Sequence, residues 1–162
     1  MIFFVFILFI VLQRFTELYI AKRNEKWLLK KGAVEYGQNH YPFIIALHTL
    51  FILSLIIEYN HMVGTEVSYV FLLLFVMLFV LRIWTISSLG KYWNTKIFRI
   101  PGMHLIKRGP YKFARHPNYI IVIAEIAVTP LVFHLYFTAI LFSLLNAIAL
   151  TIRVKEENNA WR

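Results

Sequence analysis

Cysteine is absent from all 162 residues, which excludes disulfides, a thiol nucleophile and thiolate metal ligation. Charge is scarce as well: Asp, Glu, Lys and Arg make up 15% of the chain, against 60% apolar residues. That balance excludes an ordinary soluble domain and places the chain among membrane proteins. There is no glycine-rich phosphate loop and no G-x-G-x-x-G string. His40, His48, His61, His104, His116 and His134 never fall at H-x-x-x-H or H-E-x-x-H spacing, so no resident metal is expected. A net charge of +9 would point to nucleic acid in a soluble domain. In a membrane protein basic cytoplasmic loops account for it, and no nucleic-acid partner is expected.

What the chain does have is a series of apolar runs. Five can be read: Ile2–Ile20, Tyr41–Ile57, Val67–Ile86, Tyr119–Phe133 and Leu135–Ile152. The length allows roughly four to six spans at about 20 residues each. The first run has no basic leader and no A-x-A site, so it reads as a retained span rather than a signal peptide. Lys22, Arg23, Lys26, Lys30 and Lys31 follow the first run. Lys91, Lys96, Arg99, Lys107, Arg108, Lys112 and Arg115 follow the third, and Arg153, Lys155 and Arg162 follow the fifth. The remaining connections, Glu58–Glu66 and a tight Phe133–His134 turn, hold no Lys or Arg.

Every loop cation therefore falls on one face, predicting an outside N-terminus and a cytoplasmic C-terminus. The expected fold class is an all-α integral membrane protein, one domain over residues 1–162, with five transmembrane helices and a C-terminal helical hairpin. Arg14 and Arg82 should lie near the basic face, snorkelling or pairing with Glu17. Glu125, the only acid deep within a run, either balances one of these arginines or lines a site. Asn146 is either an interhelical contact or a ligand contact. Ala21–Lys31 should continue the first helix into the interface, anchored by Trp27 and Leu28 and stopped at Gly32. Ile97, Ile100 and Leu105 around Pro101–Gly102 predict a small hairpin or an irregular loop.

Two polar strings interrupt the apolar text: G-P-Y-K-F-A-R-H-P-N-Y at Gly109–Tyr119 and R-V-K-E-E-N at Arg153–Asn158. A bilayer tolerates such strings at its edge or lining a cavity. The hairpin between them returns the chain to its starting face and makes them neighbours. Gly109 and Pro110 break any helix and permit close backbone approach. Pro117 suits the first turn of the fourth span, whose free amides favour an anion beside Arg115 and His116. Asn146, Leu150, Arg153 and Glu157 share one helix face. A guanidinium forks onto a carboxylate or enolate, and a glutamate holds an ammonium. Taken singly, the strings also fit an ordinary basic interface loop and a solvated helix end.

Together these strings resemble the isoprenylcysteine carboxyl methyltransferase family, small membrane enzymes that use S-adenosylmethionine. L-G-K-Y-W-N at Leu89–Asn94 resembles the segment preceding the family's core, so the likeness covers roughly residues 89–158. R-F-T-E-L in the first run and H-Y-P at the second resemble a bacterial branch that O-methylates long-chain alkylpyrones. The resemblance implies a cytoplasmic-face cofactor site. In it His116, Tyr119 and Glu156 would hold S-adenosylmethionine, with Gly109, Pro110 and Tyr111 as backbone and stacking contacts. Arg115 and Arg153 would steer the acceptor's anionic oxygen, and Glu157 would orient Arg153 or the cofactor's amino group. The implied partners are membrane lipid and a lipophilic or prenylated acceptor.

An acidic oxygen needs no strong base, so such a protein chiefly supplies alignment, which accounts for about 7–11 kcal/mol of barrier. Aromatic faces of Trp93, Tyr111 and Tyr119 near a sulfonium would add about 0.5–2 kcal/mol each. The cofactor is expected to enter under a roof formed by Ser87–Asn118, and the acceptor's tail sideways between spans. NADPH-dependent steroid and sterol reductases carry a string similar to R-H-P-N-Y. They usually have an acidic residue after the tyrosine and G-L-W where this chain has G-P-Y. A phospholipid N-methyltransferase would need Glu156 or Glu157 as a base. A non-catalytic transporter or scaffold would need a continuous polar path, which the spans do not offer.

Overall fold

A computed structural model describes residues 1–38, 41–62, 66–104 and 106–160. Five α-helices follow in order: α1 (Ile2–Lys30), α2 (Tyr41–His61), α3 (Tyr69–Leu89), α4 (Pro117–Leu131) and α5 (Tyr136–Ala160). Four of them, α1, α2, α3 and α5, are long and apolar enough to cross a membrane. Their outward faces are covered with apolar side chains, Phe43 and Tyr69 being 78% and 79% exposed, as lipid-facing residues must be. The fourth helix is the short one. Its 15 residues rise about 22 Å, less than a hydrocarbon core of roughly 30 Å.

Local chemistry sets the helix ends. At the end of α1 the Gly32 amide donates to the Leu29 carbonyl and the Ala33 amide to the Leu28 carbonyl, with Gly32 at φ +78°. This paired closure requires a left-handed residue, and the sequence supplies glycine there. The end of α4 is closed the same way around His134 at φ +57°, with Leu135 N–H on the Pro130 carbonyl. The chain then turns straight into α5. Glu58 of α2 accepts the Phe137 and Thr138 amides at 3.0 and 2.8 Å, capping α5 from another helix. The α4–α5 hairpin is thus pinned at its tip.

The core sits between these helices, with Phe3, Leu55, Ile126, Val132 and Leu135 almost wholly buried. Near the end away from the basic loops the Phe3 and Tyr59 rings stack at 3.7 Å. Nearer the basic end the packing turns ionic. Arg82 presents Nε to Glu125 Oε1 at 2.7 Å and Nη2 to Glu125 Oε2 at 2.5 Å. Arg14 reaches Glu125 at 3.1 Å and Glu17 at 2.9 Å, and Arg82 lies 3.4 Å from Glu17. Two cations and two anions from α1, α3 and α4 close one neutral cluster. Glu125 is structural, as balancing an intramembrane arginine requires.

The connection after α3 is tied to α1 rather than folded on itself. Ile97–Arg99 (β2) pairs antiparallel with Val34–Tyr36 (β1), with Glu35 opposite Phe98. Of the two forms expected around Pro101–Gly102, the irregular loop is the one found, and the local hairpin is corrected, since the strand partner comes from 61 to 65 residues earlier; Leu105 lies outside the described residues, as do His40 and Arg162. Asn24 of α1 donates to the Trp93 and Gly90 carbonyls at 2.7 and 3.0 Å, and Asn94 donates to the Ala21 carbonyl at 2.9 Å. Lys96 then bridges Glu25 at 2.9 Å and Glu35 at 3.3 Å. Residues 90–99 are thereby stapled over the end of the bundle.

Candidate active site

Under that stapled segment lies a partly open cavity of about 200 Å³. Trp93, Lys96, Ile97 and Phe98 wall one side, and Tyr111, Arg115, His116, Asn118 and Tyr119 another. Arg153 and Glu157 enter from α5. The two polar strings meet here, as the hairpin requires.

Tyr119 is the hub. Its hydroxyl donates to Glu157 Oε2 and accepts from Arg153 Nε at 2.9 Å. The Arg153 guanidinium stands 5.2 Å from the Tyr119 ring centre, and its Nη2 donates to the Thr95 carbonyl at 2.6 Å. His116 stacks on Tyr119 at 5.1 Å, with Nδ1 3.5 Å from Glu157 Oε1. Arg153 is thus buried and oriented by the loop and by α4 while still lining the cavity. A guanidinium keeps its charge when buried, so this position presents a fixed cation to whatever enters.

Of the residues expected here, Tyr111, Arg115, His116, Tyr119, Arg153 and Glu157 line one cavity. Glu156 does not join them. It sits at the mouth of an apolar groove between α2 and α5. Successive helical residues diverge by about 100°, so when Arg153 faces inward at i, Glu157 follows at i+4 and Glu156 turns away. Gly109 and Pro110 also stand behind the cavity wall. The close approach that Gly109 permits is to α3, where a Cβ would meet the Ser88 side chain, 2.8 Å from its Cβ, and Trp84 Nε1 at 3.3 Å. Glu157 reaches Arg153 only through the Tyr119 hydroxyl. Asn146 is buried in a small cavity of about 40 Å³, beside His48, Asn118, Tyr119 and Arg153.

Gly109→Ala should therefore act through packing, because φ is +52° there and the added methyl collides with Ser88. A loss of about 1–3 kcal/mol is expected, read as a lowered thermal midpoint in detergent.

Sequence reasoning missed Asn24, Thr95 and Asn118. A signal for Asn24 existed: Glu17, Ala21, Asn24 and Leu28 recur at i, i+4, i+7 and i+11 and are all buried. Two wall residues keep a buried polar atom without a partner among the described residues, Trp93 Nε1 and Asn118 Oδ1. Each such orphan costs about 1–3 kcal/mol, a cost that a polar ligand reaching them would relieve.

Burial, reinforced by the Glu157 carboxylate and opposed by the Arg82 guanidinium, pushes the Tyr111 hydroxyl well above its ordinary value of 10.0. Burial pulls Lys96 down, but hydrogen bonds to Glu25 and Glu35 outweigh it and raise the group above 10.5. In both cases the fold favours the protonated form. The stabilisation is complete below the unfolded value and is lost as pH climbs through the folded one. Thermal midpoints should fall above about pH 10, and Tyr111→Phe should flatten that fall.

A model of the isoprenylcysteine carboxyl methyltransferase (ICMT) family matches residues 69–161, the stretch that carries every one of these cavity-lining side chains except those of α1. The chain is 44% identical over 160 residues to the uncharacterized protein YpbQ of Bacillus subtilis, covering 98% of this chain and 95% of that one. It is 29% identical over 150 residues to an uncharacterized protein of Haemophilus influenzae, covering 91% and 87%. No solved structure matches the chain.

Proposed function

From the premise that the chain belongs to the isoprenylcysteine carboxyl methyltransferase family, and so is a membrane methyltransferase, we propose that it methylates an anionic oxygen of a lipophilic acceptor. The donor is S-adenosylmethionine, and the acceptor carries a carboxylate or enolate on a long tail, as a prenylcysteine or an alkylpyrone does. One observation carries this reading: Arg115, His116 and Tyr119 share a single cavity with Arg153 and Glu157.

When bound, S-adenosylmethionine would supply a methyl group on a positive sulfur, which would keep the C–S electron pair as the acceptor oxygen takes the methyl. The protein's part is alignment and charge placement. Arg153 holds the oxygen anion, with Arg115 as a second cation lining the same cavity. Because the acceptor arrives ionised, no side chain has to take a proton. Glu157 offers a carboxylate to the donor's ammonium, and the Tyr119 hydroxyl between Glu157 and Arg153 keeps the two functions apart. Trp93 and Tyr111 present aromatic faces, each worth about 0.5–2 kcal/mol against a nearby cation. The orphaned Trp93 N–H and Asn118 carbonyl fit a donor rich in hydrogen-bonding groups.

The acceptor's tail has a distinct place in this reading. The groove between α2 and α5 is lined by Phe43, Leu47, Leu50, Phe142, Leu145 and Ile148. The small cavity beside Asn146 shares Ile44, Leu47 and Ala149 with that groove, and Asn118, Tyr119 and Arg153 with the larger cavity. A tail lying in the groove thus brings its head to Arg153 from the membrane side, while the donor comes from the water side. The basic end of the bundle is taken as cytoplasmic, following the cation distribution.

The test is a titration of detergent-purified protein with S-adenosylhomocysteine and, separately, NADPH. Radiolabelled S-adenosylmethionine is then supplied with prenylcysteines, alkylpyrones and phospholipids in turn. Saturable S-adenosylhomocysteine binding and label on an acidic-oxygen acceptor are expected. Binding of NADPH alone would replace this reading with a reductase, and label on phospholipid amines would replace O- with N-methylation.

A further inference from the structure

A second hollow, of about 540 Å³, is lined in part by Met103, His104 and Ile106, which also line the first. Its walls include Trp27 from the end of α1, Lys91 and Tyr92 from the turn after α3, and Lys107 and Arg108. No acidic residue lines it among the described residues. Among the described residues Lys91, Lys107 and Arg108 make no ion pair; Lys107 and Arg108 are exposed, and the Lys91 ammonium stands 5.9 Å from the centre of the Trp27 ring. Lys31 stands at the same distance from that ring. Trp27 and Tyr92 meet edge to face at 5.1 Å. Like charges gathered around a concave surface repel one another, and an anion seated among them converts that repulsion into attraction.

The hollow also sits at a telling depth. Trp27 lies about two turns past the apolar part of α1 and Lys91 just past the end of α3, where tryptophan and lysine mark the headgroup level. Its floor is apolar, with Leu89, Met103 and Ile106. From Ser88 at its edge, an i−4 stripe runs into the membrane through Trp84 and Val80, which are 47% and 58% exposed. A free phosphate gains nothing from that floor or that stripe, whereas a lipid's acyl chains lie along both.

We propose that this hollow binds one anionic phospholipid, its phosphate held by Lys91, Lys107 and Arg108 and its chains laid along the Val80–Trp84 flank of α3. The site is separate from the methyl-transfer cavity but shares Leu89, Tyr92, Met103, His104 and Ile106 with it. The lipid therefore braces a wall of that cavity from behind. The inference stands whether or not the transferase reading holds.

Native mass spectrometry of delipidated protein, offered phosphatidylglycerol and phosphatidylcholine in competition, tests it. Wild type should retain one phosphatidylglycerol with about tenfold preference, in line with the attraction expected of a few basic residues. The variant Lys91→Gln/Lys107→Gln/Arg108→Gln should lose that preference. Lys22→Gln/Arg23→Gln/Lys26→Gln removes equal charge from the exposed flank of α1 and should keep it. These are surface positions, so helix content should be unchanged, and single Arg108→Gln gives a graded check. Equal loss in both triple variants would reduce the effect to diffuse surface charge and overturn the site. Displacement of the lipid by inorganic phosphate at matched concentration would overturn the lipid assignment.

Discussion

Arg153→Ala is expected to cut kcat/KM for methyl transfer by about 10³-fold, the loss of about 4 kcal/mol typical of removing one partner from a desolvated charge contact. The reasoning is geometric. Arg153 is 8% exposed, anchored by Thr95 and Tyr119, and lines both the large cavity and the small cavity leading to the tail groove. Among the described residues no other arginine lines both. Arg153→Lys keeps the charge but loses the fork and its two anchors, so it should recover only a small part. S-adenosylhomocysteine affinity should fall much less, since the donor's ammonium is assigned to Glu157. Rate and binding measured on the same preparation separate acceptor steering from general damage. Wild-type turnover in Arg153→Ala would remove this residue from the reaction.

How much of this was legible in the sequence differs by feature. Arg14, Glu17, Arg82 and Glu125 were readable as a set, because charges inside apolar runs have few places to go but each other. The meeting of Arg153 with the Gly109–Tyr119 segment followed from the hairpin, since two helices joined by a tight turn bring their far ends together. The β1–β2 pairing was hidden, because three-residue strands carry no periodicity and their partners meet only once α1 and α3 have packed. Glu58 was hidden too: its caps are amides of α5, a contact with no local pattern. Glu156 and Glu157 could have been told apart. Glu157 shares the stripe of Asn146, Leu150 and Arg153, and its neighbour cannot.

Gly109 shows a different limit. A glycine in a polar string near a site invites a ligand contact, yet its missing Cβ serves α3 packing. That packing carries position into the site, because the turn at Gly109–Lys112 holds Tyr111 in the cavity wall. Fold and site are linked through α3, and the link begins deeper in the bundle.

That depth is where the second prediction lies. Glu125→Gln leaves Arg82, 2% exposed, without its principal counter-charge, and Glu17 alone to balance two arginines. Breaking a buried pair from one side costs about 3–5 kcal/mol, enough to unfold a protein of ordinary stability at modest temperature. Arg82→Met strands Glu125 beside Arg14 and should cost a similar amount. The double variant Arg82→Met/Glu125→Gln removes one charge of each sign and leaves Arg14–Glu17 neutral, so most of the loss should return. A double-mutant cycle on unfolding free energies in detergent would then give a coupling of about 5 kcal/mol between the two side chains, the two single losses of about 3 kcal/mol or more each less the roughly 1 kcal/mol left in the double variant. S-adenosylhomocysteine binding should follow the same pattern, lost in either single variant and regained in the double, because α3 carries the Gly109 turn and α4 begins at His116–Tyr119. Additive losses in the cycle would mean that α3 and α4 are held together by their apolar faces alone, and the ion cluster would then have no part in forming the site.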